Sequence, residues 1–360
     1  MPDHKPLRDD LLRVLRCPAT MADLTDAQWD SLLPRARACR CLGRMAVAAR
    51  MHGLAQLPGR ARDHLDAARA EAAHGERIIR WELNRIERAL VHLAVPVLLL
   101  KGAAYVAAEL PVAKGRLASD VDIMVPRAAL VDVEQALLEA GWEPAKLEPY
   151  DQRYYRTWMH ELPPLRHSER GTFVDVHHTI LPLTARLKPD PDQLWSRARR
   201  LGAGRLRVLA PTDMVLHSAT HLFHDGDLNR SLRDLIDLCD LLVYFGADSS
   251  FWHDLVSRAA TLGLGRPLFY ALRYCRSLLQ LDVPEEVTCA VAAFAPPMPI
   301  LGVMDRLVTR TLVPREMQGR TDHAAAMLLF MRSHWLRMPP GLLMPHLTRQ
   351  AVARFATLRN

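Results

Sequence analysis

Three short apolar runs in the middle of this chain contain charged residues or directly precede one, and this pattern most constrains its fold and chemistry. The runs are VPVLLL, which ends at Leu100, DVDIMV over residues 120–125, and TFVDVHHTI over residues 172–180. Short runs rich in β-branched residues are typical of strands. Because an unpaired charge is costly inside a buried strand, the aspartates of the last two runs need a partner.

The second run carries two aspartates on one face. Side chains at i and i+2 of a strand point to the same side, so Asp120 and Asp122 project together, while Val121 and Ile123 face the core. Asp175 lies in the middle of the third run. If the two strands are neighbours, the three carboxylates share one surface and suit a hard divalent cation such as Mg²⁺, or two ions. The alternative is that these aspartates cap a strand or pair with an arginine.

The turn after the first run carries Lys101 and Gly102, and we expect it to contact phosphate. Gly102 stands between a strand and the helix-forming segment AAYVAAEL, where glycine permits a positive φ and a close backbone approach. Free N–H groups at a helix N-terminus favour an anion, and Lys101 and Arg116 add positive charge. The turn is not a P-loop, because GxxxxGK[ST] is absent. A solvent-facing lysine at an ordinary turn is the alternative.

Three histidines lie on one face of a predicted helix further along the chain. His217, His221 and His224 are spaced i, i+4 and i+7, but the glutamate of HExxH is missing, so zinc is not favoured there. We expect one or two of them to face a nucleotide cleft or to be hydrogen-bonded in the core. On the next predicted helix, Arg233 either pairs with Asp237, four residues later, or contacts phosphate.

The composition of the chain indicates which classes of partner and which cellular location to expect. The formal net charge of +7 favours anionic partners, yet there is no long basic run and aromatics are only 6%, so nucleic acid is not favoured. The six cysteines form no CxxC pair. The charged N-terminus lacks the apolar core of a signal peptide, and no run of 18 apolar residues indicates a membrane span. We therefore expect a cytoplasmic protein.

The periodicity divides the chain into three parts and predicts an α+β fold. Residues 1–94 form a helical region, residues 95–185 a small mixed-sheet core, and residues 186–360 a second helical region. Within the core, Arg127–Ala140 is predicted to be a helix, and residues 150–167 to supply a further pair of strands.

The order of these motifs resembles the minimal nucleotidyltransferase superfamily of the DNA polymerase β type. More narrowly, it is similar to the family of uncharacterised bacterial nucleotidyltransferases with a KG…R…DxD…DxH pattern. The matching motifs are Lys101-Gly102, Arg116, Asp120-Val121-Asp122 and Asp175-Val176-His177. The resemblance covers about residues 90–245, and the superfamily's usual Gly-Ser turn is replaced by Lys-Gly.

This resemblance implies transfer of a nucleoside monophosphate from an NTP to an acceptor, with Mg²⁺ or Mn²⁺. It implies that Asp120, Asp122 and Asp175 hold the metals and that Asp175 also orients the acceptor hydroxyl. The implied nucleotide contacts are Lys101, Gly102, Arg116, Ser119, His177, His221 and Arg233. The acceptor, whether a small molecule, a sugar or a protein, is not indicated, and neither are the base and the oligomeric state.

Two other functions stay open from the sequence. A DxD motif on a strand also holds Mn²⁺ and a nucleotide-sugar in glycosyltransferases, although those enzymes normally have a long α/β region before the motif, where this chain is predicted to be helical. A protein that binds nucleotide without turnover is the other alternative.

Overall fold

The structure is a computed structural model that describes residues 9–54, 57–117, 120–145, 149–202, 204–225, 228, 231–313, 320–341 and 343. Within these residues one mixed β-sheet lies between two sets of helices. The strands are β1 (Val97–Leu99), β2 (Asp120–Met124), β3 (Trp142–Pro144), β4 (Leu165–His167), β5 (Phe173–His177), β6 (Arg199–Arg200) and β7 (Leu206–Val208).

The helices of the described residues precede the sheet, connect its strands and follow it. They are α1 (Asp10–Arg16), α2 (Asp26–Ala38), α3 (Leu42–Met51), α4 (Gly59–Ala89), α5 (Lys101–Ala107), α6 (Leu130–Glu139), α7 (Pro149–Trp158), α8 (Pro191–Arg197), α9 (Pro211–Thr220), α10 (Leu232–Phe245), α11 (Ser249–Thr261), α12 (Gly265–Leu279), α13 (Glu285–Val291), α14 (Met298–Thr311) and α15 (Arg320–Arg337). The α+β class predicted from the sequence is confirmed.

The sheet has the strand order β3-β4-β5-β2-β1-β7-β6. At its centre, β2 runs parallel to β5 and antiparallel to β1, and β1 runs parallel to β7. The three apolar runs singled out in the sequence are therefore neighbouring strands. The last two strands, β6 and β7, follow residue 185, so the sheet extends past the boundary drawn there from the sequence.

The segment 150–167 differs from the prediction, because its first half is helical. Helix α7 covers Pro149–Trp158, and only β4 at the end of the segment is a strand. Tyr154 and Trp158 are four residues apart, which places them on one side of a helix, and their ring centroids lie 5.7 Å from each other. Tyr154 packs against Met338 near the end of α15, so contacts distant in the sequence stabilise the helix.

One continuous hydrophobic core joins the sheet to the helices on both sides. It includes Trp29 of α2, Ile123 of β2 and Tyr270 of α12, all of them buried. The core face of β2 is as predicted, since Val121, Ile123 and Val125 have no more than 1% of their surface exposed. The charged side chains of β2 consequently lie on the opposite face.

In the described part of the chain, no single helix has both the length and the apolar composition needed to cross a membrane. One pair of helical segments, Glu285–Phe294 and Met298–Thr311, meets these criteria only when taken together, and it bends by 109° at its break.

Candidate active site

The register of β2 and β5 places two of the predicted carboxylates side by side. Asp122 and Asp175 are Cα partners in this parallel pair, and Asp120 is paired with Phe173 two positions earlier. Partners in adjacent strands point to the same face. Asp122 is buried, Asp175 is partly buried and Asp120 is exposed, so the row of carboxylates runs from the interior to the surface.

Asp122 receives two nitrogen contacts. Lys101 Nζ lies 2.8 Å from Asp122 Oδ1, and His177 Nε2 lies 3.2 Å from the same oxygen. Burial alone would raise the pKa of Asp122, but Lys101 and His177 hold it well below its usual range. Asp122 is therefore ionised at neutral pH.

Asp175 has the opposite electrostatic environment. Burial and the neighbouring carboxylates of Asp122 and Glu161 raise the pKa of Asp175 to about 7. The Lys101 ammonium is bonded to Asp122, so the negative charge around Asp175 is incompletely balanced. Such a carboxylate can exchange a proton near neutral pH or bind a cation in its place.

The Lys-Gly turn has the predicted position between β1 and α5, but its backbone differs from the expectation. The positive φ is at Lys101, with a value of +44°, and not at Gly102. Gly102 is required for another reason, because a Cβ there would lie 2.3 Å from Arg116 Nη1. The glycine thus permits the close approach of Arg116. Lys101 has the left-handed backbone conformation, and its side chain reaches Asp122.

Arg116 lies beside this turn and belongs to a buried ion network. Its Nε donates to Asp237 Oδ2 at 2.7 Å, and its two Nη groups lie against Gly102. Arg44 of α3 also bonds to Asp237 and to Asp240. The network links α3, the loop before β2 and α10.

Arg233 does not pair with Asp237 as its spacing suggested. It forms an ion pair with the adjacent Asp234 at 2.7 Å and donates to the carbonyl of Leu117 at 3.4 Å. The reason is that Asp237 points toward Arg116 and Arg44 on the buried side of α10. Arg233 therefore lies beside the loop that leads into β2. Ser119, another predicted contact, is outside the described residues.

Two of the three histidines in the predicted row lie beside Lys101. Burial, with the positive charge of Lys101, lowers the pKa of His217 to about 3, and Lys101 followed by burial lowers that of His221 well below its usual value. His224 lies elsewhere, near Arg332 and Arg337. The separation begins at Thr220, where α9 ends and a π-helical turn over His221–Asp225 follows.

The sequence analysis missed two residues of this site, His160 and Glu161. His160 is 5% exposed, and its ring centroid lies 5.1 Å from that of His177. Glu161 Oε2 lies 3.3 Å from His177 Nδ1. The only local signal is the dipeptide His-Glu, and because the sequence predicts a strand pair over residues 150–167, nothing in it indicates that this dipeptide contacts His177.

Comparison with known proteins identifies one relationship. A family model described as uncharacterised nucleotidyltransferase matches residues 25–280, which is most of the chain. The match extends beyond the motifs on both sides and includes helices α2 to α4, for which the sequence analysis found no motif. No curated protein and no solved structure matches significantly.

Proposed function

The chain belongs to the family of uncharacterised nucleotidyltransferases, and on that premise we propose that it moves a nucleoside monophosphate from an NTP to an acceptor hydroxyl. The acceptor is a small molecule, a sugar or a protein. The observation that supports this most is the register partnership of Asp122 and Asp175, with Asp120 on the same face.

The donor set suits one or two Mg²⁺ or Mn²⁺ ions, held by Asp120, Asp122 and Asp175. Carboxylate oxygens are the ligands that these hard cations prefer. The raised pKa of Asp175 supports the fit, because it reflects negative charge that a cation would balance. When bound, such ions neutralise phosphate charge and orient the triphosphate.

The residues around the carboxylates supply binding and orientation. Lys101 and His221 line the same region and provide an ammonium and an imidazole for phosphate oxygens. Arg116 stays a predicted phosphate contact through its Nη groups, since its Nε is the atom bonded to Asp237. Arg233 and His177 stay predicted nucleotide contacts.

Asp175 is proposed to orient the acceptor hydroxyl and accept its proton. A carboxylate within hydrogen-bond reach of the hydroxyl can accept its proton as a general base. The acceptor oxygen then attacks the α-phosphorus, a new P–O bond forms, and the bond to pyrophosphate breaks. Most of the rate enhancement in such a reaction comes from positioning and electrostatic stabilisation.

Parallel labelling of the NTP tests this proposal. Each of the four NTPs, labelled on either the α- or the γ-phosphorus, is incubated with the full chain, Mg²⁺ and separated metabolite and protein fractions. We expect only the α label to reach an acceptor, with release of γ-labelled pyrophosphate. Transfer of the γ label, or reaction with a UDP-sugar and with no NTP, would contradict the assignment.

Matched variants connect that reaction to the site. Asp122→Asn and Asp175→Asn should each reduce transfer by at least about a hundredfold, a typical loss for a transition-state contact. Asp254→Asn is the control, because Asp254, on α11, lies in a half-exposed ion pair with Arg197 of α8. A variant at Asp122 that keeps the wild-type rate would show that these carboxylates are not catalytic.

A further inference from the structure

A cluster of nitrogen and oxygen donors lies next to the three aspartates but differs from them in chemistry. It consists of His160, Glu161 and His177, whose potential ligand atoms all lie within 4.8 Å of one another. His160 Nε2 is 4.0 Å and His177 Nδ1 is 3.3 Å from Glu161 Oε2. Both histidines are buried, and Glu161 is partly exposed.

Backbone hydrogen bonds hold the three residues in place. The segment around Glu161 runs antiparallel to the end of β5, with Glu161 and His177 as bridge partners. The Leu162 N–H donates to the Val176 carbonyl at 2.9 Å, and the His178 N–H donates to the His160 carbonyl at 2.8 Å. The cluster therefore requires little rearrangement to bind a ligand, which lowers the entropic cost of binding.

The imidazole nitrogens of the cluster have unused bonding capacity. Among the described residues, His177 Nδ1, the nitrogen that faces Glu161, is buried without a hydrogen-bond partner. The nitrogen of His160 that faces Glu161 is Nε2, and the other nitrogen of that ring, Nδ1, is also buried without a partner. A buried imidazole nitrogen without a partner is costly unless something occupies its lone pair. Both rings also lie beside Glu161, whose carboxylate would complete a set of three ligands.

The second nitrogen of His177 has the partner that a metal-bound histidine usually has. His177 Nε2 lies 3.2 Å from Asp122 Oδ1 and donates a proton to it. Histidines that bind metal through one nitrogen commonly donate the other N–H to a carboxylate, which fixes the tautomer and the ring orientation. In the neutral imidazole protonated at Nε2, Nδ1 carries the lone pair, and a cation bound to it would lie between Nδ1 and the Glu161 carboxylate, which are 3.3 Å apart.

We propose that His160, Glu161 and His177 bind a Zn²⁺-type transition-metal ion with three protein ligands and one open position. With metal–ligand bonds of about 2.0–2.1 Å, neighbouring ligand atoms of a tetrahedral site are separated by about 3.3 Å. The distance from Glu161 to His177 matches this value, and the 4.0 Å to His160 needs only a small side-chain shift. Three ligands and an open position are typical of sites that bind water or a substrate oxygen.

This site is distinct from the carboxylate site because its ligands select another class of metal. Imidazole nitrogens favour Zn²⁺ and its neighbours in the first transition row, whereas Mg²⁺ prefers carboxylates and water. His177 connects the two sites through its hydrogen bond to Asp122. Occupation of the proposed zinc site would thus fix the position of His177 beside the nucleotidyl-transfer centre.

Calorimetric titration of the full chain with Zn²⁺ tests the proposal. The protein is first stripped with a chelator and then titrated in millimolar Mg²⁺, which saturates the aspartates. We expect one Zn²⁺ per chain, bound with micromolar or tighter affinity. His160→Gln and Glu161→Gln should each weaken Zn²⁺ binding at least tenfold. The visible absorption of the Co²⁺-loaded protein should decrease in the same two variants.

The control is His253→Gln, because His253 is exposed on α11 and should leave Zn²⁺ binding unchanged. If His160→Gln fails to fold, the Zn²⁺ affinity of Glu161→Gln tests the proposal by itself. The Glu161 side chain is partly exposed, so we expect this variant to fold. Absence of a stoichiometric Zn²⁺, wild-type affinity in a folded Glu161→Gln variant, or complete competition by Mg²⁺ would each overturn the proposal. None of these measurements depends on nucleotidyl transfer, so either proposal can fail without the other.

Discussion

Asp122 and Asp175 are register partners on the parallel strands β2 and β5, yet their carboxylates have opposite electrostatic environments. Lys101 and His177 lower the pKa of Asp122, whereas burial and nearby carboxylates raise that of Asp175 to about 7. The Asp122 carboxylate is therefore already paired with a positive group, whereas the negative charge around Asp175 is not fully balanced. In the function that we propose, Asp122 is the carboxylate held in position by Lys101, and Asp175 is the one that accepts the proton of the acceptor hydroxyl.

Lys101→Met should destabilise the metal-free protein. The substitution removes the ammonium 2.8 Å from Asp122 and leaves a buried carboxylate with only His177 beside it. Breaking one side of a buried ion pair costs about 3–5 kcal/mol, so we expect a loss of about 3 kcal/mol in the free energy of unfolding, measured with urea. Mg²⁺ should restore more stability to this variant than to the wild type.

Lys114→Met is the control for that substitution, because Lys114 is exposed. It should change the free energy of unfolding by less than about 0.5 kcal/mol. Equal stabilities of the two variants would show that the Lys101–Asp122 pair contributes nothing to the fold.

Gly102→Ala should disturb the turn through Arg116. The added methyl group would meet Arg116 Nη1 at 2.3 Å, and Arg116 cannot retreat freely because Asp237 holds it. We expect a loss of about 1–3 kcal/mol in stability, measured by urea denaturation, together with weaker NTP binding.

Gly302→Ala provides the comparison. Gly302 lies within α14, and apart from the neighbouring residues and backbone of that helix no described atom lies within 4 Å of its added Cβ, so alanine should stabilise the protein by about 0.5–1 kcal/mol. If Gly102→Ala is as stable as Gly302→Ala, the close approach of Arg116 does not constrain the turn.

The elements around the site could be predicted because their signals are local. Alternating apolar and charged residues identified β2 and β5, and the faces of Asp122 and Asp175 follow from strand geometry alone. The family suggested by the motif order is confirmed by the match over residues 25–280. That β2 and β5 lie next to each other could be expected from the sequence only through its resemblance to a known family.

The contacts that could not be predicted join residues far apart in the chain. Asp237 lies four residues after Arg233, yet it pairs with Arg116 and Arg44, because α10 turns that side chain toward the core. Likewise, α7 forms where strands were expected, since Tyr154 packs against Met338. Such pairings depend on tertiary packing, which a single sequence does not encode in its periodicity.

Asp237→Asn should weaken the network that joins α3, the Arg116 loop and α10. Asp237 accepts bonds from Arg116 and Arg44, and neutralising it leaves two buried guanidinium groups without their shared carboxylate. We expect a loss of about 3 kcal/mol, measured by urea denaturation. Asp234→Asn on the same helix should cost less than about 1 kcal/mol, because its ion pair with Arg233 is partly exposed. Similar losses in both variants would contradict the importance of the network.

The buried His224 should make stability depend on pH. Burial, with Arg332 and Arg337 nearby, lowers its pKa to about 4, while the pKa in the unfolded chain is about 6.5. As the pH falls below 6.5, the unfolded chain gains a proton that the folded protein does not accept, so stability decreases until about pH 4. At pH 5, His224 should have lowered the free energy of unfolding by about 2 kcal/mol relative to its value at pH 7.

Urea denaturation at pH 7 and pH 5 measures this effect. His224→Gln should lose less stability between the two values than the wild type does, by about that amount. His253→Gln should follow the wild type, since His253 is exposed. An unchanged pH dependence in His224→Gln would show that His224 is not held neutral by its surroundings.

The most direct test of the central claim is the Mg²⁺ dependence of nucleotide binding at Asp122 and Asp175. Calorimetry with the α,β-methylene analogues of the four NTPs, with and without Mg²⁺, measures it without turnover. The wild type should bind at least one analogue more than tenfold tighter in Mg²⁺, and Asp122→Asn and Asp175→Asn should each abolish that gain. If both variants fold and keep wild-type affinity and Mg²⁺ dependence, the paired carboxylates are not the metal and nucleotide site.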